Sequence, residues 1–186
     1  MPSLATIWSP IATARLLLEP LRSEFGPALH AHINDWEVMR WLAAPPWPYR
    51  LDDMREWIAS AEAAQTSRRA AHYAITLSGL PIGAIGATGL RHGPVLGYWL
   101  GRPYWGRGYM SEAAERLVER LFTEGCGFIA SGVIEGNTAS LRVQEKLGFR
   151  IVNERFIQAR PHGRLMPHLD TVLGRSRWSR LRQAAA

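Results

Sequence analysis

Tyr98-Trp99-Leu100-Gly101-Arg102-Pro103-Tyr104-Trp105-Gly106-Arg107-Gly108-Tyr109-Met110-Ser111-Glu112-Ala113 runs from an apolar, strand-like segment through a glycine-rich turn into the start of a helix. Such a turn can aim several backbone N–H groups at one phosphate, and the dipole of the following helix adds attraction for an anion. Two better-known glycine loops are excluded by the residues themselves. A dinucleotide-binding fingerprint beginning at Gly106 needs Gly or Ala where Ser111 stands, and a Walker loop beginning at Gly101 needs Lys, then Ser or Thr, where Arg107 and Gly108 stand. Taken alone, the turn is also compatible with a plain tight connection.

Upstream of it the pattern alternates. His72 to Leu77, a turn at Ser78-Gly79, Pro81 to Thr88, a loop near His92-Gly93-Pro94 and Val95 to Leu100 read as an antiparallel meander. Further back, Ala14 to Pro20 reads as a strand. Ser23 to Leu42 follows as helix, broken near Asn34 and Asp35 and stopped by Pro45-Pro46-Trp47-Pro48, and a second helix starts at Asp52 and Asp53 and runs to about Ala64. Downstream, Met110, Ala114, Leu117, Val118 and Leu121 mark one apolar helix face. A strand Phe128 to Ile134, a helix Thr138 to Leu147 stopped by Gly148, and strands near Phe149 to Gln158 and Met166 to Leu173 complete the series. This order predicts an α+β fold, a mixed and mostly antiparallel sheet flanked by helices, rather than a doubly wound parallel one.

Length and composition agree with one domain over residues 1–186, its core spanning about 12–174 and residues 175–186 forming a basic, solvated tail. Hydrophobic residues make up 47% and charged residues 20% of the chain, which excludes wholesale disorder. The lone Cys126 cannot form an internal disulfide. No basic start with a long apolar run opens the chain, and no stretch nears the roughly 20 apolar residues that span a bilayer, so a cytoplasmic protein without a membrane partner is expected. The net charge of +6, nearly all of its positive side arginine, favours anionic partners. RNA is disfavoured among them, because aromatic residues do not interleave with the arginines; Trp36, Trp41 and Trp57 lie in helical patterns that predict core packing.

A second run, Asn137-Thr138-Ala139-Ser140-Leu141-Arg142-Val143-Gln144-Glu145-Lys146-Leu147-Gly148-Phe149, lies one helix and one strand beyond the glycine turn, so both can reach the same sheet edge. An N-cap at Asn137 accounts for part of it, with Leu141 and Leu147 as core and Gly148 as terminator.

With these two runs, and with Thr13-Ala14-Arg15-Leu16-Leu17-Leu18 and Trp36-Glu37-Val38-Met39-Arg40-Trp41, the chain resembles the GNAT acetyltransferases, in particular the Rim-type branch associated with acetylating protein N-termini. The resemblance implies a GNAT-like domain using acetyl-CoA as co-substrate. It implies that backbone N–H groups of Gly106, Arg107, Gly108, Tyr109, Met110 and Ser111 hold the pyrophosphate and that Trp99 and Leu100 pair with the pantetheine amides. Asn137 would hold the cofactor by its side chain, and Ser140 would be catalytic beside the thioester sulfur. Two positions depart from the family pattern: Trp105 stands where many members have Gln or Arg, and Met110 where Gly or Ala is usual.

Transfer from a thioester to an amine needs a neutral amine, a stabilised oxyanion and an escaping thiolate, but no covalent enzyme intermediate. Cys126 has no adjacent base, and Ser140 is not in a Gly-x-Ser-x-Gly elbow, so neither reads as a nucleophile. Ser140 instead reads as a hydrogen-bond donor to the departing sulfur. Where the Rim-type branch often has an acid, two residues before Gly97, this chain has Val95; Glu135 and His72 are alternatives to which no role is assigned. An α-amine of pKa about 7.8 is roughly a third neutral at pH 7.5, against about 0.1% of a lysine amine near 10.4. The expected acceptor is therefore a protein or peptide N-terminus. The competing classes are an acyl-CoA-binding or RNA-binding module without turnover and a small-molecule amine acetyltransferase.

Overall fold

The computed structural model describes residues 7–184. Its strands are β1 (Ile11–Ala12), β2 (Leu17–Pro20), β3 (Ala70–Leu77), β4 (Leu80–Thr88), β5 (Val95–Leu100), β6 (Phe128–Ile134), β7 (Arg150–Ala159) and β8 (Arg164–Gly174). They form one sheet in the order β1-β2-β3-β4-β5-β6-β8-β7, antiparallel throughout except where β5 meets β6. The helices are α1 (Gly26–Ile33), α2 (Trp36–Met39), α3 (Leu51–Thr66), α4 (Tyr109–Thr123), α5 (Thr138–Leu147) and α6 (Arg175–Gln183). The α+β architecture expected from the element order is the one observed. None of the described helices is long and apolar enough to cross a membrane.

Two cores lie on opposite faces of the sheet. Ala113, Ala114, Leu117, Val118 and Leu121 of α4 and Leu147 of α5 pack with Leu96, Leu100 and Ile129, so the apolar stripe in the sequence becomes buried area. On the other face Leu29 and Ile33 of α1, Met39 of α2 and Met54, Ile58 and Ala61 of α3 pack over Ala74, with Trp99 at the margin.

Four expectations need correction. The first strand starts at Leu17 rather than Ala14, because Thr13 and Leu16 close a tight turn: Thr13 N–H donates to Leu16 O at 2.9 Å and Leu16 N–H to Thr13 Oγ1 at 2.8 Å. That turn folds Ile11–Ala12 back onto β2 as an extra edge strand. Arg175–Gln183 is a helix rather than a solvated tail, since Trp178 is buried beside Phe122 at 6.0 Å and anchors it to the core; Ala185 and Ala186 lie outside the described residues. Trp36 is not core. It is half-exposed, in ring contact with Trp47 and His162 at 5.3 and 5.2 Å, and Trp41 stands past the end of α2 under the Arg40 guanidinium.

Candidate active site

β5 is bordered by two unlike seams. It pairs with β4 at six positions, from Gly83↔Leu100 to Thr88↔Val95, but with β6 only at Val95↔Ala130. Ala130 N–H donates to Pro94 O at 2.8 Å and Ser131 Oγ to Leu96 O at 2.9 Å; past Leu96 no described hydrogen bond joins the two strands. Continuing the parallel register sets Gly97 opposite Gly132, so the sheet opens where neither strand carries a side chain. Leu96, Tyr98 and Leu100 face α4 and α5, while Trp99 faces the core of α1 to α3.

The glycine turn stands at the end of the open seam. Gly106 and Gly108 have φ of +72° and +78°, a region that side chains rarely adopt, which is why glycine is needed at both. Gly108 caps α4 and its carbonyl takes the Glu112 N–H at 3.1 Å, so the N–H groups of Tyr109, Met110 and Ser111 precede the first helical hydrogen bond. Arg107 is exposed. The Met110 side chain packs against the core beside α4, so the departure from a small residue does not crowd the turn. Trp105 is also accommodated: its indole N–H donates to Leu100 O at 2.8 Å and pins the turn to the end of β5.

A brace that sequence reasoning missed holds this turn. Arg15 donates from Nη1 to Arg107 O at 3.0 Å and from Nε to Glu112 Oε2 at 2.7 Å, and its guanidinium lies 4.5 Å over the Tyr109 ring. Thr13 Oγ1 also donates to Glu112. Burial pushes the Glu112 carboxyl up, but the hydrogen bonds from Thr13 and Arg15 outweigh it and hold the group below its usual range, as a carboxylate matched by Arg15.

On α5, the Asn137 side chain does what an N-cap does: Oδ1 accepts the Ser140 N–H at 3.1 Å. Its Nδ2 has no hydrogen-bond partner among the described residues. Ser140 Oγ lies 3.1 Å from the Tyr98 hydroxyl, which also donates to Ser140 O at 3.2 Å. Burial pushes the Tyr98 phenol up, with hydrogen bonds to Ser140 and Gln144 opposing it, so the group stays protonated at neutral pH. One turn on, buried Gln144 donates to Ser131 Oγ at 3.0 Å and accepts from Thr171 Oγ1 at 2.6 Å. This satisfied polar cluster ties α5 to β6 and β8 and fixes the height of Ser140 over the open seam.

A family model described as acetyltransferase (GNAT) domain matches residues 15–150, well over half of the chain. The chain belongs to the GNAT acetyltransferases. Among solved structures, RimL, a ribosomal L7/L12 alpha-N-protein acetyltransferase in complex with coenzyme A, is similar with a TM-score of 0.80 and 18% identity, over 89% of this chain and 98% of that one. RimJ of Mycobacterium smegmatis, in complex with CoA-disulfide, is similar with a TM-score of 0.80 and 20% identity, over 95% of this GNAT chain and 93% of its own. At these identities the likeness is one of fold. The curated protein YkkB of Bacillus subtilis, uncharacterized, is 43% identical over 54 residues, 28% of this chain and 31% of its own length, so the match spans under a third of that relative.

The other residues weighed from sequence fall elsewhere. His72 lies on the face of α1 to α3, against Gly86 and edge-on to Trp57 at 6.0 Å, two strands from the open seam; burial pushes its pKa down. Glu135 is exposed, at the start of the loop leading to Asn137. Burial pushes the Cys126 thiol up, the wrong direction for a nucleophile. Tyr98 was within reach of the sequence, because strand alternation puts it on the face of Leu96 and Leu100; Arg15 and Gln144 carried no local signal.

Proposed function

We propose that this GNAT chain is an acetyl-CoA-dependent N-acetyltransferase acting on protein or peptide α-amines. The observation that carries the proposal is the open seam of β5, with the anion-ready turn of Gly106 to Ser111 at one end and the Ser140–Tyr98 pair beside it. The residues present fit the co-substrate. Nothing lies within 4 Å of where a Cβ at Gly106 would stand, so a phosphate can approach the backbone, and the unpaired edge of Tyr98 and Trp99 offers amide partners to an extended chain.

In this reading the thioester lies along β5, with its sulfur near Ser140. The neutral amine attacks the carbonyl carbon directly. Tyr98 donates its one hydrogen to the Ser140 carbonyl and holds the serine in place, and the Ser140 hydroxyl hydrogen turns from the phenol oxygen to the departing thiolate; a thiol of pKa about 8.5 needs little more. Neither Ser140 nor Cys126 carries the acetyl group. Val95, half-exposed at the last paired position before the seam opens, supplies no base. The similarity to Rim-type structures and the larger neutral fraction of an α-amine near neutral pH both favour an α-amine over a lysine amine.

The test is thiol release measured with a panel of N-terminal peptides and small amines. One peptide is offered twice, with only its α-amine or only its lysine amine blocked. Acetylation of the free α-amine is expected to be the faster near neutral pH. Equal or faster acetylation of the lysine amine would overturn the acceptor assignment, and release with small amines alone would favour the small-molecule reading.

A further inference from the structure

β8 carries His168 and Asp170 on the sheet face opposite α5, since Thr171 between them and Leu173 points to Gln144. His168 Nδ1 lies 3.0 Å from Asp170 Oδ1. Asp170 in turn accepts from Arg155 Nε at 2.7 Å and from Asn153 Nδ2 at 3.1 Å, both on β7. These bonds hold Asp170 below its usual range, Arg155 contributing most, so it is an ionised acceptor and the shared proton sits on Nδ1. Nε2 therefore presents a lone pair, and it has no hydrogen-bond partner among the described residues.

The ring lies directly on Gly132: a Cβ built there would stand 2.7 Å from His168 Nε2 and closer still to Cε1. Gly132 is the residue facing Gly97 where the sheet comes apart. The imidazole thus stands at the fork of the open seam, on the face of Trp99, while Ser140 stands on the other. His72 makes an instructive contrast: it also lies on a glycine of the same face, but two strands away and with no carboxylate partner among the described residues.

We propose that His168, oriented by Asp170, is the base that takes the proton from the acceptor amine at the mouth of the Gly97–Gly132 slot. The inference rests on the acetyl-transfer reading above and supplies the base that Val95 does not. The nitrogen lone pair forms the C–N bond at the thioester carbonyl, the C–S bond breaks, and its electrons leave on the thiolate, which Ser140 stabilises. The nitrogen proton passes to His168 Nε2, giving an imidazolium paired with Asp170 that later returns its proton to solvent. The charged groups facing the ring are Asp170 on its own strand and Arg155 across on β7; from β6 it meets Gly132 and Ile134, which do not titrate. Burial pushes the His168 pKa down, with Arg155 in the same direction and Asp170 against, so the ring is neutral and able to accept at pH 7. Arg155 and Asn153 are positioning residues that act through Asp170.

The experiment compares the full-length wild type with His168→Ala and His168→Gln, on a peptide α-amine that the wild type acetylates, between pH 6 and 10. A general base contributes about 100-fold or more, so His168→Ala is expected to be slowed about that much at pH 7. The deficit should shrink above about pH 9, where hydroxide can take the nitrogen proton in place of the missing imidazole. Added imidazole should restore part of the pH 7 rate in His168→Ala, which leaves space over Gly132, but not in His168→Gln, whose side chain fills it. The Michaelis constant for acetyl-CoA should stay the same in both. A deficit equal at every pH and untouched by imidazole, or no deficit, would show a structural role and overturn the assignment. Should His168→Ala not fold, the pH profile of His168→Gln decides alone. Wild-type protein that releases no thiol with any amine sinks the acetyl-transfer reading and this inference with it, an outcome distinct from active wild type with indifferent variants.

Discussion

The two seams of β5 differ in what fills them, and the difference separates scaffold from site. Toward β4, main-chain hydrogen bonds run the length of the strand, and the neighbours are so close that a Cβ at Gly83 would meet Trp99 O and, at 2.8 Å, Leu100 Cα. Toward β6 the ladder stops after one pair, and a Cβ at Gly97 would meet nothing within 4 Å. Both are strand glycines in the same part of the sheet. One is glycine because the protein's own backbone presses on it, the other stands beside the open seam proposed above for the thioester.

The sharpest way to break this contrast is to add side chains at both. Gly83→Ala should destabilise the fold by about 3 kcal/mol, the upper range for overpacking and roughly 150-fold in the folding equilibrium, because backbone rather than a flexible side chain must give way. Urea unfolding measures the loss, and the rate per folded molecule should be little changed. Gly97→Val should do the reverse, leaving the urea midpoint in place while lowering turnover about 100-fold by filling the slot where acceptor and thioester must meet. A fully active Gly97→Val enzyme would show that the seam is not the passage between the two faces.

A finer cut falls on the Ser140–Tyr98 pair at the edge of the open seam. Ser140→Ala should slow turnover roughly 10 to 100 fold with cofactor affinity nearly intact, as expected for a hydrogen bond that matters mainly in the transition state. Tyr98→Phe, which removes only the bond behind the serine, should cost less, about fivefold, near the net worth of one neutral hydrogen bond. Mass spectrometry that trapped an acetyl group on Ser140 would refute direct transfer, and a larger effect for Tyr98→Phe than for Ser140→Ala would make the phenol the principal donor.

The glycine turn and the Asn137 run were legible because their signals are local. Gly106 and Gly108 mark backbone that other residues rarely adopt, and Asn137 and Gly148 bracket a helix of ordinary length. The meander was legible for a similar reason, since alternation from His72 to Leu100 encodes strands that pair with their sequence neighbours. The tail was misread because nine residues with several arginines look solvated until Trp178 finds Phe122, a contact that no local pattern announces.

By itself, then, the sequence determined the order of the elements from β2 to β8, the α+β class, the glycine turn that opens α4 and the family resemblance, all of which depend on propensity, spacing and backbone conformation within short windows. Only the tertiary structure decided where the sheet opens, because strand pairing is a property of two distant segments and Val95 to Leu100 looks the same whether or not β6 follows it. It also decided that Arg15 braces a turn 92 residues away, that Gln144 anchors α5, and that His168 and Asp170 stand over Gly132 at the fork. A side chain's chemistry is written in its type, but its partners are set by long-range packing, and here the packing brings to one slot the residues that chain order keeps apart.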